Sequence, residues 1–128
     1  MKPKIKGIFF LGIKTNRFDE LHRFYTETMG LKPDHFEPDF ATYPLANGDK
    51  IEIYGPNDPH APSHDHFTTG PVAGFEVDDI ATTRSEMEAD GIEFLGPIQS
   101  ARPGGSQWSH FRGPDGNVYE LKQRASAV

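Results

Sequence analysis

The chain predicts an α+β fold built from two tandem β-α-β-β-β modules, and three observations carry that prediction. Glycine and proline, 13 and 11 of them in 128 residues, punctuate the chain at repeated places. Asn47-Gly48-Asp49-Lys50-Ile51-Glu52-Ile53-Tyr54 lines up with Asp115-Gly116-Asn117-Val118-Tyr119-Glu120-Leu121-Lys122. Each copy is a hairpin turn leading into an alternating strand with a Glu at the same place. Upstream, Gly12-Ile13-Lys14-Thr15-Asn16-Arg17-Phe18 matches Gly74-Phe75-Glu76-Val77-Asp78-Asp79-Ile80, a strand running into a helix cap.

The elements follow in order. The opening strand is the apolar run Ile8-Phe9-Phe10-Leu11-Gly12-Ile13, far too short to span a bilayer. A first helix is expected over about Phe18–Met29, with Asn16 as N-cap, Asp19 and Glu20 in the first turn and Gly30 closing it. Phe18, Leu21, Tyr25 and Thr28 recur at helical spacing, so one face packs on a sheet. Strands over Leu31–Phe36 and Phe40–Leu45, then the strand bearing Glu52, complete a first module of about residues 5–56. A polar connector, residues 57–69, leads to a second module of about residues 70–124. Its helix runs over Ile80–Ala89, capped by Asp78 or Asp79 and stopped by Gly91; strands over Ile92–Leu95 and Gln107–Phe111 precede the strand bearing Glu120. The register between the copies lengthens in the second module, which places the extra residues in Pro97–Ser106, a Gly- and Pro-rich loop that is either a linker or a lid. Neither copy is large enough to count as a domain of its own, so the whole chain reads as one.

Composition excludes several functions. The net charge is −6, and Lys2, Lys4 and Lys6 are the only basic cluster, which leaves no positive stripe for nucleic acid. There is no Cys, hence no disulfide, thiol nucleophile or Cys-zinc site. No signal-peptide pattern and no membrane-spanning run is present, so the expectation is a soluble, cytoplasmic protein without a membrane partner.

Strand alternation turns the layout into candidate chemistry. With Ile51 and Ile53 in the core, Glu52 and Tyr54 face the other way; with Tyr119 and Leu121 in the core, so do Val118, Glu120 and Lys122. Tyr43 and Phe111 as core residues leave Phe40 and Thr42, and the equivalent Trp108 and His110, on that same face. Phe10 corresponds to Val72 and Gly12 to Gly74, each glycine marking either a close backbone approach or room for a ligand. If the modules curl towards each other, Phe10, Phe40, Val72 and Trp108 form apolar walls, and Glu52, Glu120, Thr42, His110 and Arg112 supply polar points. Such a cup suits a small organic ligand. His22 and His35 show no partner in the sequence.

Phe24-Tyr25 before Met29-Gly30-Leu31, the Gly74–Ile80 stretch, and Gly113-Pro114-Asp115-Gly116-Asn117-Val118-Tyr119-Glu120-Leu121 resemble the glyoxalase/bleomycin-resistance/dioxygenase (vicinal oxygen chelate) family. The resemblance implies a curved, half-barrel mixed sheet with helices on its outer face, and a homodimer, for which open sheet edges give a physical reason. It also implies that metal-dependent members hold a divalent ion at positions that here are Phe10, Glu52, Val72 and Glu120. Two carboxylates stand there and two side chains are apolar, whereas hard divalent ions need several oxygen or imidazole ligands. The expectation is therefore no cofactor, or a metal held by an incomplete set. His110, or His60, His64 and His66 of the connector, offers a partial completion; the connector run is otherwise a solvated loop.

Three functions follow from the resemblance. The first is a metal-dependent lyase or isomerase of the lactoylglutathione-lyase type, or a dioxygenase. The second is a metal-free binding protein that sequesters an aromatic or cationic compound. The third is a metal-free isomerase or lyase with Glu52 or Glu120 as general base, or with Glu120 paired to Arg112 or Arg102 and only orienting the ligand. The metal-poor readings rank above the first.

Overall fold

The computed structural model describes residues 5–60, 66–67 and 70–125. The order is β1 (Gly7–Lys14), α1 (Phe18–Arg23), β2 (His35–Glu37), β3 (Phe40–Pro44), β4 (Lys50–Tyr54), β5 (Val72–Glu76), α2 (Ile80–Ala89), β6 (Glu93–Ser100), β7 (Gln107–Arg112) and β8 (Val118–Gln123). This is β-α-β-β-β twice, an α+β fold as the repeat predicts. Two compact units result, one formed by Phe10–Val72 and one by Ala73 onward together with the chain up to Phe9.

In the first unit the strands lie in the order β2-β3-β4-β1, with β1 parallel to β4 and the other pairs antiparallel. Phe18, Tyr25, Ala41, Tyr43 and Ile53 form its core, with Ile13, Leu21, Leu31 and Ile51 packed around them. The helix departs from expectation. It starts at Arg17 without a side-chain cap, and Thr15 Oγ1, not Asn16, accepts from the Arg17 N–H at 3.0 Å. After Arg23 it widens into a π-helical turn, Phe24–Thr28, which buries Tyr25 in the core and leaves Phe24 exposed. The strand expected over Leu31–Phe36 begins only at His35, because Pro33 has no N–H to give a ladder.

The second unit has the order β5-β8-β7-β6, with β5 parallel to β8 and β6-β7-β8 antiparallel. Val77, Ile80, Phe111 and Leu121 are its core, with Met87, Phe94 and Tyr119 packed against them. Here α2 has the expected bounds, and Asp79 caps it by accepting from the Thr82 N–H at 3.0 Å. The expected loop over Pro97–Ser106 is corrected: β6 continues through Ser100, and only the tip, closed by the Ala101 N–H on the Ser106 carbonyl at 3.1 Å, is a turn. A register shift between Leu95 and Gln99 lets Gly96, at φ +85°, and Pro97 bypass the ladder before pairing resumes at Gln99 and Trp108. The extra residues thus lengthen the β6–β7 hairpin.

The internal repeat survives in the registers. Gly12 lies beside Glu52 and Gly74 beside Glu120; Thr42 lies across from Glu52 and His110 across from Glu120; Phe40 faces Tyr54 and Trp108 faces Lys122. Gly48 and Gly116 sit at φ +89° and +86° in matching turns, the left-handed backbone that favours glycine.

Candidate functional site

Strand parity places Phe10, Phe40, Thr42, Glu52 and Tyr54 on the face of the first unit's sheet opposite its core. Glu52 is nearly buried; its Oε1 accepts from the Tyr54 hydroxyl at 2.6 Å, and the Lys50 ammonium lies 3.9 Å from its Oε2. Thr42, directly across, does not reach it and donates to Asp34 instead. The face is filled with rings. Phe67, from the connector, is 2% exposed and packs 6.4 Å from Phe10 and 5.5 Å from Tyr54, while Phe40 stacks on Tyr54 at 5.9 Å. A Cβ on Gly12 would stand 2.6 Å from Phe67 Cε2 and 2.8 Å from Phe10 Cζ. The glycine is therefore explained by two aromatic rings of the chain itself, and that space is not open to a ligand. Sequence reasoning passed over Phe67, although a lone Phe in a polar connector is a usable signal.

The histidines of this unit have partners. His22 Nδ1 is 2.6 Å from the Tyr43 hydroxyl. His35 Nε2 is 2.6 Å and His60 Nε2 3.4 Å from Glu37 Oε2, and hydrogen bonding, first to His35, holds the Glu37 carboxyl below its ordinary range. His66 lies half-buried in a turn, and His64 lies outside the described residues. A cleft of about 560 Å³ at the end of β1, lined by Lys14, Thr15, Asn16, Pro56 and Phe67, contains none of the expected site residues.

The second unit presents Trp108, His110, Glu120 and Lys122 as a two-by-two block on the face of β7 and β8 opposite its core. His110 is 1% and Glu120 2% exposed. His110 Nε2 lies 3.0 Å from Glu120 Oε1, while Glu120 Oε2 is buried with no hydrogen-bond partner among the described residues. Lys122 is buried, its ammonium 5.2 Å from the Trp108 ring centroid and 5.9 Å from that of Phe9. Strand alternation, which puts Lys122 on the same face as Glu120, is the signal in the sequence that marks it. On the far side, Ser109 is buried and its Oγ accepts from Arg84 Nη1 at 3.1 Å, so Ser109 and His110 point to opposite faces.

Arg112 is exposed. Its Nη1 donates to the Gly116 carbonyl at 3.0 Å and its Nε lies 3.9 Å from Glu93. Glu120 is held by His110, and Arg112, one of the two cations offered as its alternative partner, bonds elsewhere. Val72, the first residue of β5, is fully buried.

These donors do not fit a resident divalent ion. Phe10 and Val72 offer only carbon, one Glu52 oxygen is taken by Tyr54 and one Glu120 oxygen by His110, and among the described residues no three His, Cys, Asp or Glu side chains converge.

The sequence matches the glyoxalase/bleomycin resistance protein/dioxygenase superfamily over residues 7–121. The chain belongs to that superfamily. No curated protein matches it in sequence. Solved structures with the same fold include methylmalonyl-CoA epimerase from Mycobacterium tuberculosis, 17% identical with a TM-score of 0.71 over 98% of this chain and 93% of that one. A hypothetical protein from Bacillus halodurans C-125 is 18% identical, TM-score 0.70, covering 95% and 96%. A glyoxalase/bleomycin resistance protein/dioxygenase superfamily member from Vibrio splendidus 12B01 is 18% identical, TM-score 0.65, covering 90% and 96%. At such identities the likeness establishes the fold.

Proposed function

We propose that this superfamily member binds a small organic molecule on the β7–β8 face of its second unit and moves a proton on it without a metal, with Glu120 as the base and His110 holding it. The observation that carries this reading is the buried Glu120 carboxyl, one oxygen fixed by an imidazole and the other without a partner. A buried polar atom left unsatisfied costs roughly 1–3 kcal/mol, so a ligand donor or a labile proton at Oε2 recovers free energy that folding alone leaves lost. Fixing Oε1 also sets the direction of Oε2, which is the positioning a base needs. Trp108, beside His110 on β7, supplies an apolar wall for the ligand.

The metal-dependent alternative of the lactoylglutathione-lyase type is disfavoured by carbon at Phe10 and Val72. The carbonyl substrate of methylmalonyl-CoA epimerase, a protein of the same fold, fits a proton-transfer role without assigning that substrate here. The working form is taken to be a homodimer, since β2 and β6 are edge strands; a monomeric mass in light scattering contradicts that part alone.

The test is hydrogen-deuterium exchange at the carbon next to the carbonyl of a small oxoacid, followed by NMR with chelator-treated protein. Exchange above the uncatalysed rate supports the reading. Saturable binding without exchange replaces it with sequestration, and exchange restored only by added metal overturns it.

A further inference from the structure

Lys122 is a buried cation that the proposed proton transfer does not use. It lies two residues from Glu120 on the same face of β8, directly across from Trp108. Two residues along a strand span roughly 6.6 Å, a separation bridged by a ligand whose acidic C–H sits one or two bonds from an anionic oxygen. Phe9 and Trp108 carry the faces of their rings towards the buried ammonium, and Glu76 stands beside Lys122 in the β5 register. At a buried ammonium a charge-assisted hydrogen bond is stronger than in water.

We propose that Lys122 is the site's oxyanion-binding residue and that the ligand is a small oxoacid with an aromatic or similarly flat apolar group, its anionic edge on Lys122 and its flat group against Trp108. The inference rests on the proton-transfer reading for the C–H partner and on the placement of Lys122 for the anion. An anionic ligand is the opposite of the cationic one that a net charge of −6 suggests.

The step balances within the ligand and Glu120. Glu120 Oε2 takes the proton from the carbon next to the carbonyl, the C–H electron pair becomes the new C=C bond, and the carbonyl π pair moves onto oxygen. Lys122 donates to the enolate oxygen so formed, in the role of a fixed positive charge. The proton on Glu120 exchanges with solvent, and Glu120 returns a proton, or in heavy water a deuteron, to carbon as the enolate collapses to the carbonyl.

Trp108 is the only tryptophan, so its emission reports on this face. The full chain is titrated with benzylpyruvate, with uncharged benzylacetone and with cationic phenethylamine, and exchange at the benzylpyruvate carbon next to the carbonyl is read by NMR in the same samples. Benzylpyruvate is expected to perturb Trp108 saturably and to bind about tenfold or more tightly than either probe, the size of one hydrogen bond to a charged group. Lys122→Met removes that preference and Lys122→Arg retains it; the probe comparison on the unaltered chain stands even if a variant fails to fold. Equal binding of benzylacetone, an unchanged preference in Lys122→Met, or no response of Trp108 to benzylpyruvate overturns the assignment. Anion preference without exchange leaves Lys122 in place and removes the base role of Glu120. Exchange without anion preference does the reverse.

Discussion

Thr42 and His110 hold the same place in the repeat, each directly across the ladder from a glutamate, and only His110 reaches it. Thr42 donates to Asp34, leaving Glu52 to the Tyr54 hydroxyl; His110 lies 3.0 Å from Glu120 and leaves the second oxygen of that carboxyl unpartnered. A duplicated framework thus holds one glutamate by a phenol and the other by an imidazole.

Tyr54→Phe tests the bracing. Removing the phenol oxygen deprives a nearly buried carboxylate of its 2.6 Å donor, and stability falls by about 1–3 kcal/mol. Urea unfolding followed by circular dichroism measures the loss, while ligand-induced change at Trp108 stays as it was.

Gly12→Ala tests the aromatic filling of the first unit. The new Cβ meets Phe67 at 2.6 Å and Phe10 at 2.8 Å, and the overpacking costs about 1–3 kcal/mol. In a Phe67→Ala background the same substitution costs less, and a double-mutant cycle in thermal unfolding reads the difference.

These two sites show how far the sequence reaches. The repeat, the strand parity, the Asp79 cap and the pairing of Thr42 with His110 as equivalents are legible because each is a local pattern in residue type and spacing. The partner of Glu120 is not, since nothing in residue type chooses His110 over Arg112 until the Gly113–Asn117 turn draws Arg112 onto the Gly116 carbonyl. The ring over Gly12 is equally hidden, because Phe67 comes from a segment without periodicity. The π-helical turn after Arg23 is set by burying Tyr25 against Tyr43, a tertiary contact at 5.3 Å, and local propensity continues the helix instead.

Tyr43 gives an alkaline prediction. Burial in the first core, with the nearby Tyr25 adding to it, pushes its phenol from an ordinary 10 up to about 12. The folded chain thus binds this proton more tightly than the unfolded one, so the contribution is complete below pH 10 and is lost as pH rises from 10 towards 12. Ultraviolet titration should show tyrosine ionisation delayed beyond the ordinary range, with burial also raising Tyr25 and the Asp115 hydrogen bond raising Tyr119; Tyr43→Phe removes the latest part, which accompanies unfolding.

Asp79→Ala removes the cap of α2, whose side chain accepts from the Thr82 N–H at 3.0 Å. The expected loss is about 0.5–2 kcal/mol, read by denaturant unfolding, with the fold retained because Ile80 and Thr83 remain buried on the sheet.

The central claim is that Glu120, and not its twin Glu52, carries the proton. Deuterium exchange into benzylpyruvate, measured with Glu120→Gln and Glu52→Gln side by side on chelator-treated protein, tests it most directly. The account predicts a fall of about a hundredfold or more in Glu120→Gln, the usual contribution of a general base, and retention of most of the exchange in Glu52→Gln. Undiminished exchange in Glu120→Gln, or an equal fall in both variants, contradicts it.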